Sequence, residues 1–269
     1  MSLAPKNCDS SVPTVVLLTP GHLNSAYYEH TFLSDQMGIE MVEAQDLFVE
    51  NDFLYMKTVD GPKKIDVVYR RIDDDYLDPL AYNPNSVIGV PGITHVYKTG
   101  GVNICSAPGA GIADDKAVYI YVPEMIKFYL GETPILDNVQ TWRCERDDDL
   151  KYVLENIDEL VIKEVDGSGG HGMLIGPKST KQEIEDFSSK LKLHPEGYIA
   201  QPTLDLSSSP TLIDNEISGR RVDLRPFCLL GEKVQLCPGG LTRVALGKGS
   251  YVVNSSQGGG VKDTWVLAD

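Results

Sequence analysis

Leu160–Gly176 reads LVIKEVDGSGGHGMLIG, two short apolar runs, LVIK and MLIG, around the glycine-rich segment DGSGGHG. Apolar runs flanking a glycine cluster predict two strands joined by a loop, with Lys163 closing the first strand. Glycine admits φ > 0, so successive backbone N–H groups in such a loop can be aimed at one point and can hold an anion beside the lysine. The same residues also read as an ordinary glycine-rich hairpin with a solvent-facing lysine. The stretch alone leaves both readings open.

The bulk of the chain narrows the setting. Its 269 residues suffice for one large domain or two modest ones, and 42% hydrophobic with 23% charged residues is ordinary for a globular protein. No apolar run is long enough for a membrane span and no signal peptide opens the chain, so the expected location is cytoplasmic. Residues 1–12 read as a leader or tag. A formal charge of −15 opposes nucleic-acid and anionic-membrane partners, so an anionic nucleotide would need a local basic pocket. Five cysteines, widely spaced and without a CxxC pair, indicate neither a disulfide framework nor a zinc site, and buried free thiols are expected.

In chain order, TVVLLTPG reads as a buried strand and NSAYYEHTFLSDQMG as a helix, capped by Asn24 or Ser25 and stopped by Gly38. IEMVEAQDLFVE resumes strand character. A hairpin about Asp60-Gly61 and a strand IDVVYRR follow. These elements predict a small Rossmann-like α/β domain over residues 13–111, closed by a glycine- and proline-rich connector carrying one strand, VNIC. At the end of IDVVYRR, Arg71 and Asp73 stand where α/β sheets gather ligands, and they are candidates for a substrate amine or carboxylate; a solvated charged turn is the alternative.

Beyond residue 111, DDKAVYIYVPEMIKFYLG predicts a helix capped by Asp114 or Asp115 and kinked or split by Pro123. Lys116 would lie in its first turn, where the helix dipole opposes a cation unless a phosphate sits nearby. A further helix carries Leu150, Val153, Leu154 and Ile157 on one face. Thr180 and Glu183 form a capping box for a helix whose Ile184, Phe187 and Leu191 make a core stripe. YIAQPTL is a strand ending at Pro202, DLSSSPTLIDNEISG a long polar loop, and RRVDLRPFCLLG and EKVQLCPGG are two more strands. GMLIGPKST is not a P-loop, because Pro177 separates Gly176 from Lys178 and removes a needed N–H. A protein kinase is disfavoured too, since Lys163 precedes its glycine loop.

A strand lysine before a glycine-rich loop, Lys116 ahead of it, and the ordered strings RRIDDDYLDPL, GVPG, ADDKAVYIYVP, YIAQPTL, VDLRPF, PGGLTRVA and VNSSQGGGVKDTW together resemble the circularly permuted ATP-grasp proteins, a group similar to glutathionylspermidine synthetases. The resemblance runs from about Val15 onward. It implies an α/β (α+β) protein with an ATP-grasp region at 112–269 behind the Rossmann-like domain, and an ATP-dependent carboxylate–amine ligase acting through an acyl phosphate. Lys116 and Lys163 would clamp the nucleotide phosphates. Ser168, Gly169, Gly170, His171 and Gly172 would close over them, and backbone near Ile199 to Gln201 would read the adenine edge. Arg225 and Arg243 would stabilise phosphoryl transfer. Asn254 would face metal or phosphate, or satisfy a turn. A salt bridge to Asp223 is the competing role for Arg225, an exposed strand position that for Arg243.

ATP and magnesium are the implied cofactors, with small-molecule carboxylate and amine substrates. One departure matters. The acidic and asparagine residues expected to hold magnesium, in an N-terminal segment of such proteins, are not found in this sequence. The chain is therefore expected to be the C-terminal portion of a longer protein, partnered by the missing N-terminal segment. A nucleotide-binding module without ligase activity is the alternative function.

Overall fold

The computed structural model describes residues 4–5, 8, 12–167, 172–230, 233–253 and 258–267, in two units, Met1–Ala113 and Asp114–Asp269. In the first unit the chain runs β1 (Val15–Leu18), α1 (Tyr27–Met37), β2 (Glu40–Val42), β3 (Leu47–Glu50), β4 (Phe53–Met56), β5 (Lys63–Ile65), β6 (Val67–Arg70), α2 (Asp74–Leu77), α3 (Ile93–Thr99) and β7 (Asn103–Cys105). β2, β1, β6 and β7 form a parallel sheet in that order, and β3, β4 and β5 an antiparallel one. Val16, Leu18, Val68 and Ile104 from the parallel sheet pack with Leu54, Leu77, Ile93 and Val96 in one buried cluster. Each such side chain contributes about 1.5–3 kcal/mol relative to exposure.

The predicted Rossmann-like layer is present, with three corrections. IEMVEAQDLFVE is two strands, because Glu43 and Asp46 cap a 3-10 turn at 44–46 reciprocally and send β3 into the other sheet. The connector contains a helix, α3, whose Ile93 and Val96 are fully buried one turn apart. IDVVYRR divides at buried Asp66, whose carboxylate accepts the Thr14 N–H at 2.9 Å and so ties β6 to the start of β1.

The second unit runs α4 (Val122–Leu130), β8 (Trp142–Arg143), α5 (Asp147–Glu155), β9 (Leu160–Glu164), β10 (Leu174–Ile175), α6 (Lys181–Leu193), β11 (Tyr198–Pro202), β12 (Ser208–Ile213), β13 (Glu216–Arg225), β14 (Cys228–Leu230), β15 (Val234–Leu236), β16 (Leu241–Val244) and β17 (Gly260–Asp263). An antiparallel sheet is ordered β10–β9–β11–β8, and a second is ordered β12–β13–β16–β17. Leu160 and Ile162 of β9 and Ala200 of β11 are buried against Val153 of α5 and Phe187 and Leu191 of α6. The Thr180–Glu183 capping box is formed as expected, and it starts α6.

Here too the sequence reading needs correction. The segment from Asp114 is no continuous helix: 3-10 turns occupy 110–114 and 118–121, and α4 starts only at Val122, with Pro123 in its first turn. Asp115 lies ahead of the second of these turns, where its carboxylate accepts the Ala117 N–H at 2.7 Å, while Ala117 holds the cap position. Lys116 is therefore not in a helical first turn, and the dipole argument for it does not apply. The supposed polar loop 205–219 is mostly a hairpin, β12 and β13, turned by Asp214 and Asn215 at φ 50° and 65°. Side chains that tolerate the left-handed region close this two-residue turn as they close the one at Asn51-Asp52. Of the five free cysteines only Cys144 is buried; Cys228 and Cys237 are exposed, the first opening β14 and the second just after β15.

Candidate functional site

Strand alternation decides what β9 shows to each side. Leu160 and Ile162 face the helices, so Val161 and Lys163 face the other way. There they line a cavity of about 450 Å³ within the second unit, together with Lys116, Glu164, Gly167, Gln201, Arg225 and Arg243. Met173, Ile175, Leu204, Leu206 and Val253 give it apolar walls. Four basic side chains thus converge on one concavity in a chain of net charge −15.

Each cation is held differently. Lys116 donates through Nζ to the carbonyls of Gly167 and, at 3.3 Å, Val165, which places it at the first described end of the glycine segment. Lys163 donates to Gln201 Oε1 at 2.7 Å. Burial, and then the Lys116 charge, hold the Lys163 ammonium below the ordinary lysine range. Arg225 pairs with Asp223 at 2.9 Å. Arg243 stands directly across the β13–β16 ladder from Asp223, so the three share one face of the sheet. The salt bridge expected as the competing role for Arg225 is present, and Arg225 lines the cavity as well.

Among the described residues Glu164 is the one acid in the lining, and it sits across the neck of the glycine segment. A Cβ at Gly167 would come 3.0 Å from its Cβ, and one at Gly172 would come 2.6 Å from its carboxylate carbon. Gly172 also takes φ +68°, so the backbone selects glycine there. On the far wall Tyr251 lies under two cations, with the Arg221 guanidinium 4.0 Å and Lys178 Nζ 4.7 Å from its ring centre.

Of the residues singled out from the sequence, Lys116, Lys163, Gln201, Arg225 and Arg243 are brought together here. Ile199 is not: it faces Lys163 across the β9–β11 ladder and is 1% exposed, outside the lining. Its backbone lies in a central strand laddered on both sides, by β9 and β8, and the lining takes Gln201 and Pro202 of that strand with Thr203 and Leu204 after it. Arg71 and Asp73 are exposed, at the end of β6 and before α2 in the first unit, and neither lines the cavity. Ser168, Gly169, Gly170, His171 and Asn254 lie outside the described residues. Sequence reasoning passed over Glu164 and Tyr251. The first was hidden because a single acid after a lysine looks like a solvated strand end, the second because it lies in a segment without periodicity.

The cavity fits a polyphosphate by charge, since Lys116, Lys163, Arg225 and Arg243 could hold it. Among the described residues no three His, Cys, Asp or Glu side chains stand together as a possible metal group, so a magnesium ion would have to be held largely by the phosphates themselves or by residues outside that set. No helix among the described residues is long and apolar enough to cross a membrane.

Residues 1–245 match the family described as circularly permuted ATP-grasp type 2. An uncharacterized protein of Synechocystis sp. (strain ATCC 27184 / PCC 6803 / Kazusa) is 54% identical over 268 residues, 99% of this chain and 55% of its own length. A Frankia alni protein named "Putative glutamate--cysteine ligase 2-3" is 41% identical over 254 residues, 94% of this chain and 29% of its own. A solved structure of the ATP-grasp ligase PsnB complexed with a minimal precursor is 12% identical with a TM-score of 0.44, covering 87% of this chain and 76% of that one. The chain spans about half the length of the Synechocystis relative.

Proposed function

The chain belongs to the circularly permuted ATP-grasp type 2 family, and from that premise we propose that it is the nucleotide-binding part of an ATP-dependent carboxylate–amine ligase. The observation that carries the reading is the convergence of Lys116, Lys163, Arg225 and Arg243 on one cavity. A chain with an excess of acids gathers four cations in one place only at a cost in mutual repulsion, and a bound polyphosphate offsets that cost.

In this reading Lys116 and Lys163 hold the β- and γ-phosphates from one wall, while Arg225 and Arg243 face the transferring phosphoryl group from the other. The γ-phosphoryl group passes to a carboxylate oxygen and ADP leaves. An amine nitrogen then attacks the carbonyl carbon, the C–N bond forms, and inorganic phosphate departs with the former carboxylate oxygen. Pro202, which ends β11, and Thr203 and Leu204 just after it are proposed to border the base. Arg71 and Asp73 are proposed to contact the substrate carboxylate or amine. The acidic magnesium ligands are proposed to come from outside the described residues.

The test is calorimetric titration of the chain with ATP. Lys163→Ala is expected to weaken binding about 10- to 100-fold, the worth of one hydrogen bond to a charged group. Unchanged binding would remove Lys163 from the site. A ligase further requires that ADP be released only when both a carboxylate and an amine are supplied; ATP binding without such turnover would leave a nucleotide-binding module.

A further inference from the structure

We propose that Thr141 and Gln201 form a directional hydrogen-bond relay that positions Lys163 while leaving its charge for an anionic ligand. The proposal rests on the reading of the cavity as a phosphate site, and it assigns Gln201 a side-chain role in place of base recognition. Thr141 precedes β8, Gln201 lies on β11 and Lys163 on β9, and these three strands are neighbours in one sheet. The relay therefore runs across the sheet toward the cavity.

Its direction follows from counting protons. Thr141 Oγ1 donates its single hydrogen to the Val139 carbonyl at 2.9 Å, so toward Gln201 it can only accept. Gln201 Nε2 supplies that bond at 2.9 Å. The opposite end of the amide, Oε1, is thereby turned to Lys163 Nζ at 2.7 Å. Thr141 is 9% exposed, so water does not readily replace it as the acceptor. One of the three ammonium hydrogens is spent on fixing the side chain, and two remain for a ligand.

The acceptor is an amide rather than a carboxylate, and the difference is functional. A glutamate at 201 would hold Lys163 at least as firmly, but it would neutralise the charge and repel phosphate. A neutral acceptor aims the cation without spending it. Thr141 and Gln201 are thus positioning residues, acting through Lys163.

The experiment follows the Lys163 titration through its ¹³Cε shift in lysine-labelled protein, assigned with Lys163→Arg, beside calorimetric ATP affinity. The neighbouring charges Lys116, Glu164, Arg225 and Arg243 are common to all variants. Thr141→Val releases the amide to turn its NH₂ toward the ammonium, so the Lys163 pKa falls further and ATP affinity drops about three- to tenfold, the value of one neutral hydrogen bond. Thr141→Ser restores both. Gln201→Glu raises the Lys163 pKa yet weakens ATP, a pairing of opposite sign that a merely structural residue would not produce. If Thr141→Val leaves the titration unchanged in a folded protein, or Gln201→Glu binds ATP as the wild type does, the relay is wrong. Should the wild type bind no ATP, the site reading fails separately, and the apo titrations still decide whether the relay exists.

Discussion

Lys163 was legible as a strand-end lysine, but its state was not. No sequence pattern reports that burial, and then Lys116 from 47 positions earlier, depress its pKa. That depression has a sign for stability. Below its lowered folded-state pKa, Lys163 is charged in both states and penalises the fold; above the ordinary value of 10.5 it is neutral in both. Urea midpoints should therefore gain a contribution from Lys163 as pH rises from that lowered value toward 10.5, a gain absent in Lys163→Met. A variant with the same pH slope as wild type would show that the ammonium is not perturbed. Arg225 illustrates a different limit: i and i+2 on a strand foretold its pair with Asp223, while the cavity it also lines depends on β16 and β9 arriving beside it.

At the scale of elements, what read best was what is local. The Thr180 capping box, the Gly38 helix stop and the strands flanking Asp60-Gly61 are all set by neighbours in sequence. The misses share a cause. The hairpin at Asp214-Asn215 was taken for loop because serines and prolines outnumber β-branched residues there, yet turn chemistry and the pairing partner outweigh propensity. Lys116 failed as a helical residue because its backbone N–H goes to Val165, in the segment after β9, at 3.1 Å. A second consequence lies at Gly176, after β10. A Cβ there would meet the Ile157 carbonyl oxygen at 2.2 Å and the Asp158 carbonyl carbon at 2.6 Å, and backbone cannot swing aside. Gly176→Ala should cost about 1–3 kcal/mol in urea unfolding. Gly197→Ala, where a Cβ meets nothing within 4 Å, should stay within about 0.5 kcal/mol. Equal effects would mean that the β10 turn relaxes freely.

For the whole molecule, each unit carries its own buried cluster, one built on the parallel sheet and one on the β9–β11 sheet. Residues 1–113 and 114–269 are accordingly expected to melt cooperatively when produced separately. Both tryptophans, Trp142 and Trp265, belong to the second unit, so their emission follows that unit while far-ultraviolet circular dichroism follows both. Loss of structure in either half on separation would refute the independence of the two cores. The ordered motifs were enough to read the ATP-grasp fold from sequence, because they report a backbone path shared by a family. The metal ligands were not readable, and the described residues do not assemble them.

The convergence of Lys116, Lys163, Arg225 and Arg243 on a cavity with Glu164 as its one acid among the described residues has a practical side. Such a surface is a scavenger: any small oxyanion in the medium is a rival for the same seat. Affinities taken in phosphate or sulfate buffer will be underestimates by the factor one plus the buffer anion's concentration over its own dissociation constant, and melting temperatures will climb with buffer strength for the same reason. The chemistry of the storage solution is thus part of the binding equilibrium, and an organic buffer without oxyanions is the proper reference state for every nucleotide titration of this protein.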